Sequence, residues 1–151
     1  VIIDHATGAE VNFVDIGFGA SQTLPIIIQS FYAPKYSLLL IEQPEIHLHP
    51  KAQSLMGDLF IKAAGEANRT FIIETHSEHI LARVRRRIAE KKIGKDKVAI
   101  YYFEPDKDGT RIREVTLNDK GQYVDFPEGF FEEDLNEAFE HLKAIQRSDS
   151  K

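Results

Sequence analysis

An acid ends the unbroken aliphatic run Leu38-Leu39-Leu40-Ile41-Glu42, and Gln43, Pro44 and Glu45 follow at once. Consecutive aliphatics of strand length read as a strand covered on both faces, and such a strand holds its terminal carboxylate rigidly. A rigid carboxylate at a sheet edge is what a nucleotide-bound magnesium ion requires. A second apolar run, Phe71-Ile72-Ile73, leads into Glu74-Thr75-His76-Ser77 and places an imidazole just past another strand. Each run alone has an ordinary explanation: a buried strand entering a charged loop, and a histidine that caps or packs. Together, separated by one helical stretch, they form a strand–helix–strand crossover whose ends share an edge. Open α/β sheets bind ligands at that edge.

The elements that must hold these ends are legible on either side. Residues 1–3 and 11–14 are short β-like runs around Thr7-Gly8 and read as a hairpin. Gly17-Phe18-Gly19 breaks the pattern. Ser21 is the expected N-cap of a helix running to about residue 30, with Pro25 in or near its first turn. The first core strand is expected over 36–41. Pro50 is placed to start a helix with apolar positions Ala52, Leu55, Met56, Leu59, Phe60 and Ala63. The second strand covers 70–73, and the helix after Ser77 carries Ile80, Leu81, Val84 and Ile88. Residues 98–103 and 111–117 flank Asp106-Lys107-Asp108-Gly109 as a second hairpin. A last helix is expected over about 132–145, with acids in its first turn. There is no internal repeat. The pattern is α/β: a parallel-strand core with flanking helices, then an antiparallel hairpin and a helix. The expected division is 1–96 and 97–151.

Composition bounds the rest. The 151 residues are 42% hydrophobic and 28% charged, ordinary values for a globular chain able to bury a core. A formal charge of -5 argues against a dedicated nucleic-acid module, although it does not forbid a basic patch. There is no cysteine, which excludes disulfides and thiolate zinc sites and suits a cytoplasmic protein. Apolar runs such as 38–41 are far too short to span a bilayer, so no membrane partner is expected.

These motifs resemble a known superfamily. Residues 38–50 look like the Walker B and D-loop region of ABC-type and SMC-like ATPases, and Thr75-His76-Ser77 resembles their switch histidine. Gly17-Phe18-Gly19-Ala20-Ser21-Gln22, opening a helix ahead of Walker B, resembles the degenerate signature loop of their stand-alone AAA-type members. The string Glu42-Gln43-Pro44-Glu45-Ile46-His47-Leu48-His49-Pro50 looks like a family of predicted prokaryotic ATPases with a small C-terminal domain of unknown function. Phe126-Pro127-Glu128-Gly129-Phe130-Phe131 fits that tail. The resemblance implies the C-terminal lobe of a P-loop NTPase, with ATP and Mg2+ as its ligands.

Roles carry over residue by residue. Glu42 takes the place of the magnesium-organising acid, usually Asp, and its longer side chain implies contact through a bound water. Gln43 stands where the family has its catalytic Glu. A neutral amide orients a water but cannot accept its proton. Slow hydrolysis, Glu45 as the substitute carboxylate, and an engineered substitution that traps ATP are the open readings, with Glu45 slightly favoured. His76 would sense the γ-phosphate. Gly17, Gly19, Ser21 and Gln22 form the signature-like loop, implied to meet a γ-phosphate held by another subunit of a homodimer. Gly17 occupies the usual position of the signature Ser.

No G-x-x-x-x-G-K-[S/T] occurs in the sequence. The chain opens on Val1 inside an apolar run, so the expectation is a piece of an ATPase whose N-terminal half carries the Walker A loop. Alone it is expected to be inactive. The rival reading is an ATP-dependent switch, or a partner- or DNA-binding module, with little turnover. Arg83, Arg85, Arg86, Arg87, Lys91 and Lys92 make a basic run on the last core helix; a solvated face and DNA-phosphate contact are the two readings. His47, His49, His76 and His79 invite a metal-hydrolase reading, but no pair has an established zincin spacing.

Overall fold

Apolar side chains spaced for helices and strands settle into two units, residues 1–86 and 87–151. A computed structural model describes residues 2–3, 7–8, 10–12, 17–107 and 109–125. The division falls inside a helix, earlier than the expected 96/97. The expected helix over 132–145 and the 126–131 stretch lie outside the described residues.

In the first unit, β1 (Ile2–Ile3) pairs antiparallel with β2 (Glu10–Val11), the hairpin read around Thr7-Gly8. Helix α1 (Phe18–Tyr32) leads to β3 (Leu38–Glu42), α2 (Pro50–Ala67), β4 (Thr70–Glu74) and α3 (Glu78–Ala89). Strands β3 and β4 are parallel and in register from Leu38↔Thr70 to Glu42↔Glu74, joined through α2. A parallel pair needs such a crossover, and Pro50 at the first position of α2 starts it without losing an internal hydrogen bond. Asn68 ends α2 in the left-handed conformation, φ 49°, that commonly closes a helix.

The core is Met56 and Phe60 of α2 with Ile80 of α3, surrounded by Ile26, Ile41, Leu48, Leu59, Phe71 and Ile73. Odd-numbered strand residues therefore face the helices. The opposite face is bare. Leu38, Leu40 and Ile72 on it are 57%, 71% and 58% exposed. The expectation of strands covered on both faces is corrected here, because α1 and α2 pack on one side and the side chains on the other are exposed. Leu55, expected on the inner stripe of α2, is exposed as well.

The start of α1 is a second correction. Gly17 is the N-cap and Phe18 is already helical, so Ser21 lies inside the helix and its hydroxyl donates to the Phe18 carbonyl at 2.8 Å. Pro25 consequently sits in the helix interior, where its ring removes one hydrogen bond to the preceding turn. The C-terminus of α1 is held by Arg69, whose guanidinium donates to the carbonyls of Phe31 (2.8 Å) and Ala33 (2.7 and 2.9 Å).

In the second unit, β5 (Tyr101–Asp106) and β6 (Gly109–Glu114) form the expected hairpin. Its strands meet closer to the turn than expected, because the ladder runs through Pro105↔Thr110 to Asp106↔Gly109. Gly109 has φ 138°, a conformation that a side chain would disfavour. The Val115 N–H donates to the Ile100 carbonyl at 2.8 Å, and Val115 is buried. No helix among the described residues is long and apolar enough to cross a membrane.

Candidate functional site

The register of β3 and β4 brings the two strand-end motifs side by side. Glu42 is level with Glu74, and the Gln43 N–H donates to the Glu74 carbonyl at 2.8 Å, carrying the ladder one residue past the strand. Glu42 and Glu74 stand on the uncovered face of the sheet, both exposed. Glu74 was missed as a site residue by reading the sequence. Its signal was present, an acid closing the second apolar run as Glu42 closes the first. Only the register makes the two neighbours. Their hard oxygen donors fit a magnesium ion by donor chemistry.

The backbone turns sharply at Gln43, which takes φ 44° just before the buried Pro44. A left-handed non-glycine residue is uncommon, costs about 1 kcal/mol or more, and clusters at functional sites. His47, four residues later in the same loop, has φ 63°. Two tight turns follow: the Ile46 N–H donates to the Gln43 carbonyl at 3.3 Å, and the Leu48 N–H donates to the Glu45 carbonyl at 3.0 Å. His49 then caps α2, its Nδ1 accepting the Lys51 N–H at 3.3 Å.

Glu45 points inward instead of standing at the edge. It is 8% exposed, and its Oε1 accepts the backbone N–H of His76 at 2.6 Å. Its Oε2 is buried with no hydrogen-bond partner among the described residues. The side chain of His76 is exposed beside this bond. Ser77, 4% exposed, caps α3 by accepting the Ile80 N–H at 3.2 Å and donates its hydroxyl to Gln53 Oε1 at 2.6 Å. Gln53 Nε2 in turn donates to the Leu48 carbonyl at 2.9 Å. The loop after β4 is thus bonded to the loop after β3 at two places.

The N-terminus of α1 reaches the same loop. A Cβ on Gly19 would stand 2.7 Å from the His47 carbonyl oxygen, so only glycine permits this approach. The rings of Phe18 and His47 meet edge to face with centroids 5.1 Å apart. Gly17 and Gln22 are exposed. At the start of α1 the Ala20 N–H donates to the carbonyl of the N-cap Gly17 at 3.1 Å. The start of α1 therefore adjoins the loop that follows β3.

The basic run begins on α3, and Lys91 and Lys92, expected on the same helix, fall beyond its end. Arg83 pairs with Asp58 at 2.8 Å, and Arg87 pairs with Glu90. The histidines do not assemble: no group of three or more potential metal ligands exists among the described residues.

Two family models match parts of the chain. Residues 93–140 match the family described as Protein of unknown function (DUF3696). No curated protein and no solved structure matches the chain. Residues 3–81, more than half of the sequence and including both strand-end motifs, match the family described as AAA ATPase domain, and the chain belongs to that family.

Proposed function

We propose that the edge formed by Glu42, Gln43 and His76 is half of an ATP site in an ABC/SMC-like ATPase that works as a head-to-tail homodimer. One observation carries the reading: the parallel register that ends both motifs at one level, Glu42 beside Glu74 and Gln43 bonded to the Glu74 carbonyl. In it, Glu42 would hold magnesium, with Glu74 as its neighbour on the same face. Bound magnesium neutralises charge that develops on the phosphates. Gln43 orients the attacking water through its side-chain amide. His76 donates to the γ-phosphate and polarises that water. Gly17, Gly19, Ser21 and Gln22, at the start of α1, meet the γ-phosphate of the partner subunit.

The phosphate cradle and its lysine are supplied by residues outside this sequence, which has no G-x-x-x-x-G-K-[S/T]. The bare apolar face at Leu38, Leu40 and Ile72 supports that reading, because parallel strands are ordinarily covered on both sides. The chain alone is accordingly inactive. Phosphate release from Mg-ATP by this chain alone, lost on His76→Ala, would overturn it. In the ATPase that includes the phosphate loop, His76→Ala lowers kcat by roughly 100-fold or more.

A second reading is favoured by a specific observation. Gln43 is an amide, and the Glu45 carboxylate is turned into the core with its Oε1 on the His76 N–H, so neither presents a carboxylate to a water at the exposed edge. ATP binding would then drive dimerisation with little turnover, presenting a surface to a partner or to DNA. Steady-state phosphate release beside ATP-dependent dimerisation separates the two: tight dimerising binding with unmeasurable turnover selects the switch.

A further inference from the structure

We infer that Glu45, Gln53 and Ser77 are positioning residues that lock the loop bearing His76 onto the loop bearing Gln43, so the two strand ends move as one body. The inference rests on the ATP-site reading for its consequence, though not for its geometry. The two loops are separated by a whole helix in sequence, and Glu45 and His76 stand 31 residues apart. Backbone pairing carries them only to the bond from the Gln43 N–H to the Glu74 carbonyl. Beyond that point, three side chains replace the ladder.

The first link is charge-assisted: a buried carboxylate oxygen accepting a backbone N–H at 2.6 Å. Because that N–H belongs to His76 itself, the bond fixes the backbone from which the imidazole projects. The second link runs from the Leu48 carbonyl through Gln53 to the Ser77 hydroxyl, whose oxygen also caps α3. It fixes the residue after His76. The two links lie on either side of the His76 Cα, so they restrain both its position and its direction. Both are drawn from side chains buried or half-buried against the core and so shielded from competing water. A shift of the β3 loop, as when Gln43 leaves its strained conformation, is transmitted to His76 through these bonds.

This assignment gives Glu45 a role distinct from general base, and the conservative variant separates the two. Positioning needs an acceptor oxygen at the end of the side chain, which Gln supplies; proton abstraction needs a carboxylate, which Gln lacks. In the intact ATPase, Glu45→Ala is expected to lower kcat roughly 10- to 100-fold with little change in KM. Glu45→Gln is expected to keep kcat within about fivefold of the parent. Glu45→Gln falling as far as Glu45→Ala would overturn the inference in favour of the base.

A second measurement is independent of ATP chemistry. Hydrogen exchange of the His76 amide in the nucleotide-free chain is expected to be at least about tenfold slower in the parent and in Glu45→Gln than in Glu45→Ala. A His76 amide that exchanges equally fast in all three sinks the clamp whatever the enzyme does. Protection of that amide together with no ATP turnover in the intact protein would instead sink the ATP-hydrolysis reading and leave the clamp standing.

Discussion

At the residue scale, Gln43 joins chemistry to strain. Its left-handed backbone places it at the edge that Glu42 and His76 share, and the Pro44 that follows restricts it further. Gln43→Gly relieves the conformation and is expected to raise unfolding stability by about 1 kcal/mol in urea titration while lowering turnover. A loss larger than the roughly 0.5–1 kcal/mol that glycine costs through the unfolded chain would show that the turn is not strained. Gln43→Glu restores a proton acceptor where a neutral amide now sits. Phosphate release in the intact ATPase is expected to rise roughly 10-fold or more, and no rise would remove Gln43 from the water's path. Residue type showed that position 43 was chemically unusual, but no residue type announces a positive φ. Glu45 was legible as an acid close to the site. That it turns inward to His76 depends on a contact between segments far apart in sequence, which spacing along the chain does not encode.

At the element scale, β3, α2, β4 and α3 were legible because aliphatic runs and helical spacing are read locally, and Pro50 marked the start of α2. The start of α1 was not. Ser21 has the side chain of an N-cap, yet Gly17 takes that place because Gly19 lets the first turn sit against the His47 carbonyl. Gly57 was likewise silent in the sequence. A Cβ there would lie 3.2 Å from the Arg83 side chain, so it marks the crossing of α2 and α3. A pair of variants tests this account. Gly65→Ala in α2 meets nothing within 4 Å and is expected to stabilise the chain by about 0.5–1 kcal/mol. Gly19→Ala gains the same helix propensity but drives a Cβ into a backbone oxygen, and is expected to cost about 1–3 kcal/mol net. Equal effects in thermal unfolding would mean that the contact of α1 with the 43–48 loop is absent. Arg69 is the corresponding device at the far end of α1. Its fork reaches carbonyls of Phe31 and Ala33 together, which a lysine cannot match. Both Arg69→Ala and Arg69→Lys are expected to lower stability by about 1–3 kcal/mol in urea titration. A silent lysine variant would reduce the interaction to charge alone.

At the scale of the whole molecule, the one-sided sheet is what separates this chain from an ordinary α/β layer. Covering helices lie on the odd-numbered face, and the even-numbered face presents Leu38, Leu40 and Ile72 to solvent. Continuous aliphatic runs signalled burial on both sides, and composition carries no information about which element would supply the second cover. If that face is built to receive the rest of an ATPase domain, its side chains contribute little to this chain and much to the assembled protein. The double variant Leu40→Glu, Ile72→Lys tests that asymmetry. In the chain alone it is expected to leave the urea midpoint within the change of about 0.5 kcal/mol usual for surface sites, and to reduce binding of an apolar fluorescent dye. In the protein that also contains the phosphate-binding loop, the same pair puts two charges where apolar cover is required and is expected to cost about 3 kcal/mol or more, with loss of ATP binding. Equal and small effects in both settings would show that the face remains solvent-exposed in the assembled enzyme. The proposed second half of the ATP site would then have to approach the Glu42–His76 edge from another direction.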